Sequence, residues 1–253
     1  MADKALERLA LTNRPSAGTA LSGMPLTGGS APGLAVPGVL VLDVLDMGCG
    51  TGATALALRR QVRTSTYLCA DLCPAMLQRA RANLSDAGPG VLYAAMDAES
   101  PALAGAFDLV ISNMALQWTT NPAAAIAGLW SLVRPGGLLA LSLPGPETFC
   151  EWRQAHERLG LACGLWDYPG LPALAAMLPA GASLTEERHS MAFRRAIDFP
   201  RHLKALGGFI PRPGHAPLSP AMFKAVLSRL DADFPDGPRL TYQIFYALAS
   251  KPG

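Results

Sequence analysis

Charge is scarce in this 253-residue chain: Lys, Arg, Asp and Glu make up 16% of it, against about 25% in an average soluble domain. What charge there is has no excess of one sign. With 21 basic and 19 acidic residues the formal net charge is +2, so the positive field that drives nonspecific nucleic-acid binding is missing and a nucleic-acid partner is disfavoured. Long apolar runs are missing too. Val39-Leu40-Val41-Leu42 and the run from Leu138 to Leu143 meet Asp43, Asp46 or Pro144 well before the roughly 20 residues that a membrane span requires. No apolar stretch follows the mixed charges Asp3, Lys4, Glu7 and Arg8, so no secretory signal is read and a cytoplasmic location is expected. Cysteine is sparse and odd in number, at 49, 69, 73, 150 and 163, as suits free thiols in a reducing compartment. No His lies near Cys69 and Cys73 to complete a zinc set, and no metal site is expected.

Glycine and proline are abundant by contrast, 25 and 22 residues, and they divide the chain. Ala2 to Leu11 has the composition of a short helix, and Thr12 to Gly38 is a Gly/Pro-rich stretch without periodicity that reads as a flexible connector. From residue 39 onward the pattern is that of a single domain. Val39 to Leu45 is a continuous apolar run closed by glycines, as expected of a strand buried on both faces. Further strands are expected at Thr66 to Ala70, Gly90 to Met96, Phe107 to Ser112 and Gly137 to Leu143, alternating with helices at Thr51 to Val62, Pro74 to Leu84 and Pro122 to Val133. Such alternation predicts an α/β, doubly wound, mostly parallel sheet. After Glu147 the texture becomes helical at Thr148 to Leu161, Leu171 to Leu178, Pro200 to Leu206 and Pro220 to Leu230, with strands at Ser183 to Phe193 and Leu240 to Ser250. The helical insertions are placed at 147–182 and 198–232.

The most informative segment is Asp46-Met47-Gly48-Cys49-Gly50-Thr51-Gly52, between a buried strand and a helix. Glycines there allow a sharp turn and a close approach of ligand to backbone, so a nucleotide-like cofactor is expected against Gly48, Cys49, Gly50 and Gly52. Read as Gly48-x-Gly50-x-x-Ala53, the loop also satisfies a dinucleotide fingerprint. Asp46 opposes that reading, because a carboxylate facing the loop repels pyrophosphate but holds a cation. S-adenosylmethionine carries an ammonium and a sulfonium and no phosphate, so it is favoured over NAD. Asp71, 19 residues beyond Gly52, suits a ribose diol. Leu72 and Met76 supply apolar groups for the adenine face, and Asp97 with Ala98 can meet the adenine amino group. Each of these acids has a plainer alternative as a helix cap or a solvated loop residue.

Together the segments Leu45-Asp46-Met47-Gly48-Cys49-Gly50-Thr51-Gly52, Ala70-Asp71-Leu72, Met96-Asp97-Ala98, Phe107-Asp108-Leu109-Val110-Ile111-Ser112-Asn113 and Val133-Arg134-Pro135-Gly136-Gly137 resemble the class I S-adenosylmethionine-dependent methyltransferases. The resemblance implies a Rossmann-like, seven-stranded sheet whose last strand is antiparallel, under a helical cover. It places Asp46, Gly48 and Gly50 at the methionine end, Asp71 at the ribose, Asp97 and Ala98 at the adenine, and Asn113 on the cofactor's open side. A narrower resemblance, carried by Ser112-Asn113-Met114-Ala115-Leu116-Gln117-Trp118, Thr148-Phe149-Cys150-Glu151-Trp152-Arg153 and Leu240-Thr241-Tyr242-Gln243-Ile244-Phe245-Tyr246, is to the malonyl-acyl-carrier-protein O-methyltransferases of biotin synthesis. It implies a malonyl-bearing acyl carrier protein, or a free malonyl thioester, as substrate. Complex I assembly factors of the same fold share similar Tyr-Gln-Ile and Glu-x-Arg segments, and the Asn113 to Trp118 stretch favours the biotin enzymes. In that family a helix with a Tyr and a Gln precedes the glycine strand and closes over the cofactor; Met1 to Leu11 has no aromatic residue. A small-molecule methyltransferase and a noncatalytic S-adenosylmethionine-binding relative therefore stay open as alternatives.

A carboxylate is already ionised near pH 7 and needs no general base to accept a methyl group. It needs a dry site and a fixed cation. Arg153 is the expected carboxylate anchor, since a guanidinium fork matches a carboxylate; its alternative is a surface helix residue paired with Glu157. His156 is expected to be a half-exposed polar residue, with assistance or base catalysis as its functional reading. Gln117 is expected either at cofactor or substrate or at a helix start. Trp118 and Trp166 read as core or pocket wall, and Arg194, Arg195, Arg201, His202 and Lys204 as a basic surface for an acidic carrier or a solvated run.

Overall fold

The computed structural model describes residues 41–86, 88, 90–103, 105–205 and 211–253. The helix expected at Ala2 to Leu11 and the connector to Gly38 lie outside the described residues. The chain forms two compact units, one holding the described residues up to Leu143 with Pro172–Thr185 and Phe245–Gly253, the other Pro144–Leu171 and Glu186–Ile244.

Seven strands, β1 (Val41–Met47), β2 (Arg63–Asp71), β3 (Val91–Ala95), β4 (Phe107–Asn113), β5 (Val133–Pro144), β6 (Ser183–Ala192) and β7 (Arg239–Ser250), lie in the order β3-β2-β1-β4-β5-β7-β6. The pairings from β3 through β5 are all parallel. β7 runs the other way. Lys251 exchanges backbone hydrogen bonds with Gly136 and Gly137, while Gly145 donates to Gln243, so partner numbers fall along β7 as they rise along β5. The doubly wound sheet with an antiparallel last strand is thus as expected. Helices α1 (Ala53–Leu58), α2 (Pro74–Asn83) and α3 (Pro122–Ser131) link the parallel strands. The strand order reverses between β1 and β4, and it is at the carboxyl ends of such strands that an open sheet leaves a ligand crevice.

β1 and β4 carry buried residues on both faces, which is why their sequences are apolar without alternation. Val44, Leu45, Tyr67, Val110 and Ala55 are fully buried, and each large side chain among them contributes roughly 1.5–3 kcal/mol. Asn121 caps α3 by accepting from the Ala124 N–H at 3.0 Å, with Pro122 in the first turn, as the helix-start chemistry predicts.

Several boundaries differ from expectation, among them those of β5 and α1. β5 begins at Val133 rather than Gly137, because its pairing with β4 jumps from Phe107↔Val133 to Leu109↔Leu138. Arg134, Pro135 and Gly136 fill that irregularity as a bulge inside the strand, where proline needs no ladder hydrogen bond. There Arg134 bridges Asp108 at 2.9 Å and Asp43 at 3.1 Å, which allows two carboxylates to lie within apolar strands. α1 is six residues, shorter than the run from Thr51 to Val62, because Gly52 is left-handed and Gln61 and Val62 both donate to Leu58.

In the other unit, α4 (Cys150–Glu157), α6 (Asp198–Ala205) and α7 (Pro220–Asp233) contribute to an aromatic core; α5 (Leu171–Met177) lies mainly in the first unit. Phe149 meets Phe199 and Tyr242 edge-on at 4.8 and 4.4 Å, and Trp152 meets Phe199 at 5.2 Å.

Candidate functional site

At the end of β1 the chain must turn into α1 within a few residues, and the glycines make that possible. Gly48 has φ +74, and a Cβ there would overlap the Ala115 side chain. We expect Gly48→Ala to cost about 2 kcal/mol from the left-handed backbone and the overlap together, read as a lower midpoint in denaturant unfolding with the slope unchanged.

The loop amides decide which ligand the turn can take. Gly48 and Cys49 donate to the Ala70 carbonyl at 2.7 and 3.0 Å, and Gly52 donates to Cys49. Gly50 donates to Asp71 Oδ2 at 2.8 Å. Four N–H groups that a pyrophosphate would require are therefore bound to the protein itself, and α1 is too short to offer a strong dipole. The arrangement does not suit a dinucleotide.

It suits a cation. Asp46 is fully buried; its Oδ2 accepts from the Tyr67 hydroxyl at 3.0 Å, and its Oδ1 has no partner. Burial pushes its carboxyl up to about 7; the Tyr67 hydrogen bond works against this and the Asp71 charge adds to it. A desolvated carboxyl with one open oxygen is completed by a positively charged donor.

The remaining expected residues sit along the carboxyl ends of β2, β3 and β4. Asp71 holds the loop through Gly50 and also accepts from Cys73 N–H at 2.8 Å, so it shapes the turn; a carboxylate keeps further lone pairs for a diol. Leu72 is 69% exposed and Met76 is half-buried, an apolar surface beside Asp71. Asp97 is exposed, Ala98 half-buried beside it, and Asp97 accepts from Glu99 N–H at 2.9 Å. Asn113 is locked at both ends of its amide: it donates to Thr54 at 3.2 Å and accepts from Ser142 at 2.5 Å. Gln117 lies in a 3-10 turn, Leu116–Trp118, and donates to Met114 O at 2.6 Å, with its amide oxygen buried and unpartnered. The Cys49 thiol is buried and pushed far up, chiefly by a hydrogen bond with Cys69 and by burial, so it is inert.

Three contributors were not apparent from the sequence. Tyr67 satisfies Asp46, Ala115 closes over Gly48, and Ser142 bonds both Asn113 and the N–H of Met114, whose φ is +52. Tyr67 left one signal: a phenol inside a strand buried on both faces needs a polar partner.

In the second unit Arg153 is held by the loop that follows α4. Its Nη2 donates to Trp166 O at 2.5 Å, Nη1 lies 3.7 Å from Asp167, and the guanidinium stands 5.9 Å from the centre of the Tyr168 ring. Its Nε is buried without a partner. A cleft of about 630 Å³ beside this loop is lined by Trp166, Asp167, Arg212 and His215 among others. His156 is not the half-exposed residue expected. It is buried, its Nδ1 lies 2.8 Å from Trp152 O, and its ring packs edge-on to Trp152 at 4.9 Å. Burial, with a smaller contribution from His215, lowers its pKa, so it is a neutral imidazole whose Nδ1–H donates within its own helix.

The two late motif segments meet here. Glu151 accepts from Thr241 N–H and hydroxyl at 2.9 and 2.6 Å, and Thr148 donates to Gln243 O at 2.8 Å. Their shared presence is explained by mutual packing. All five cysteines are free, and among the described residues no helix is long and apolar enough to cross a membrane.

Comparisons with known proteins agree with this geometry. A family model described as a methyltransferase domain matches residues 45–141. A malonyl-[acyl-carrier protein] O-methyltransferase of Magnetococcus marinus is 34% identical over 210 residues, 82% of this chain and 77% of that one. A biotin biosynthesis bifunctional protein of Bordetella avium is 38% identical over 83% of this chain; the match spans 44% of that longer relative. A Bacillus halodurans structure assigned as a methyltransferase shares the fold, with TM-score 0.61 and 18% identity over 84% of this chain and 93% of that one. The glycine loop, the sheet order and a relative 34% identical and matched over 77% of its length lead to one conclusion: the chain belongs to the malonyl-[acyl-carrier protein] O-methyltransferase family.

Proposed function

We propose that the chain uses S-adenosylmethionine to esterify the free carboxylate of a malonyl thioester borne by an acyl carrier protein, in the cytoplasmic synthesis of biotin. The observation that carries the cofactor is the buried, half-satisfied Asp46 under a loop whose amides are already bonded. S-adenosylmethionine supplies a methyl group on a positively charged sulfur. Asp46 pairs with the cationic methionine end, Asp71 with the ribose, and Leu72, Met76, Asp97 and Ala98 with the adenine, while Asn113 and Gln117 border the methyl side. Arg153 holds the substrate carboxylate; one carboxylate oxygen gains the methyl and the sulfur keeps the bonding pair. No proton moves, which agrees with a buried neutral His156. The exposed Arg194, Arg195, Arg201 and Lys204 present positive charge to an acidic carrier, which raises the rate of encounter. Family membership supports the malonyl substrate.

The test is incubation with methyl-labelled S-adenosylmethionine and either malonyl- or acetyl-loaded carrier protein. Label is expected on the malonyl form as a base-labile ester and none on the acetyl form. A protein that binds the cofactor yet labels neither would contradict the proposal.

A further inference from the structure

We infer that Tyr242 is a second anchor for the substrate carboxylate, donating its hydroxyl hydrogen beside Arg153; this rests on the malonyl reading above. Arg153 N–H donates to Phe149 O at 3.1 Å, which sets Arg153 one turn after Phe149, the residue that opens α4. The Phe149 ring packs on Tyr242 at 4.4 Å. Tyr168 joins the group, with the Arg153 guanidinium 5.9 Å from its ring centre and its phenol near enough to Tyr242 to affect it electrostatically.

Within this cluster two hydrogen-bond donors are buried and unpartnered, the Tyr242 hydroxyl and Arg153 Nε. Native proteins rarely leave such groups unmatched without a functional reason. The side chains of the strand neighbours of Tyr242 are spoken for on the other face: the Thr241 hydroxyl donates to Glu151, and the Gln243 amide donates to Glu186 and accepts from Glu147 N–H. Burial, and secondarily Tyr168, push the Tyr242 phenol well up, so it stays a donor at neutral pH. A carboxylate offers about four lone-pair positions and can accept from both groups at once.

Asp167 already places a carboxylate near Arg153, at 3.7 Å with its side chain 79% exposed, a weakly held pair that a substrate carboxylate can displace. Asp167 and Tyr168 lie on the segment between α4 and α5, which contains no helix or strand. One cation and one neutral donor also hold the acid with less loss of nucleophilicity than two cations would.

Malonyl-pantetheine and acetyl-pantetheine are the probes, titrated by calorimetry and assayed for methyl transfer with wild type and Tyr242→Phe at saturating S-adenosylmethionine. Tyr242→Phe is expected to weaken malonyl-pantetheine binding and raise its KM by about 10- to 100-fold, as for loss of a hydrogen bond to a charged group. kcat should change less than about threefold, cofactor affinity should not change, and Tm should hold or rise because a buried unpartnered hydroxyl is gone. A wild type that binds and methylates the malonyl probe alongside a variant with unchanged KM and affinity would overturn this inference alone, leaving the hydroxyl to internal water. A wild type that neither binds nor methylates it would overturn both readings.

Discussion

Replacing Asp46 with Asn is expected to weaken S-adenosylmethionine binding by about 100-fold at pH 7.5, the scale of a lost charge-assisted hydrogen bond. The same replacement should remove a pH dependence present in the wild type. Burial holds the Asp46 carboxyl at about 7, against about 3.9 in an unfolded chain. Below that value the group is protonated and offers the cation no charge, so wild-type affinity should fall as pH drops from about 7 to 5.5, approaching tenfold per unit. Without ligand the sign is opposite. Between about 4 and 7 the unfolded chain ionises its aspartate while the folded chain keeps it protonated, so folded stability is lost as pH rises through that window. Asp46→Asn should flatten this slope and raise Tm of the ligand-free protein at pH 8. Calorimetric titration across pH, with thermal denaturation in parallel, reads both effects. A wild-type affinity independent of pH between 5.5 and 7 would remove the charge pairing.

Replacing Arg153 with Ala is expected to lower kcat/KM for the malonyl substrate by about 100- to 1,000-fold, within the range for truncating one partner of a desolvated charge pair. Arg153→Lys keeps the charge and loses the fork, and should recover only part of the activity. The Ala variant also releases Trp166 O and Asp167, so some loss of stability will accompany it. Cofactor affinity, measured in the same variant, separates the effects: it should stay within about twofold of wild type if the protein is folded and the defect lies at the substrate. Wild-type kcat/KM in Arg153→Ala would exclude the anchor.

Local pattern carried most of the sheet. Apolar runs closed by glycine, aspartate or Ser112-Asn113 marked β1, β2 and β4 to within a few residues, because a strand buried on both faces leaves no polar alternation. The irregular start of β5 was not legible, since Arg134-Pro135-Gly136 reads as a loop until β4 pairs across it. The site divides the same way. Asp46 and Gly48 announce themselves by adjacency at a strand end. That Asp71 binds the loop through Gly50, 21 residues away, that Tyr67 satisfies Asp46, and that Asn113 is tied to Thr54 and Ser142 depend on strand order, which spacing alone does not state. His156 illustrates the converse: on helix α4 nothing in its neighbours Ala155 and Glu157 foretells that its ring faces Trp152 and the interior.

By itself the sequence determined the strand–helix alternation, the turn after β1 and the acid beneath it, because these rest on steric and hydrogen-bonding preferences within a few residues. Tertiary structure alone decided the charge state of Asp46, the consumption of the loop amides and the unpartnered donors of Arg153 and Tyr242. Each of these depends on what distant segments bring alongside, and desolvation arises only when the chain is packed.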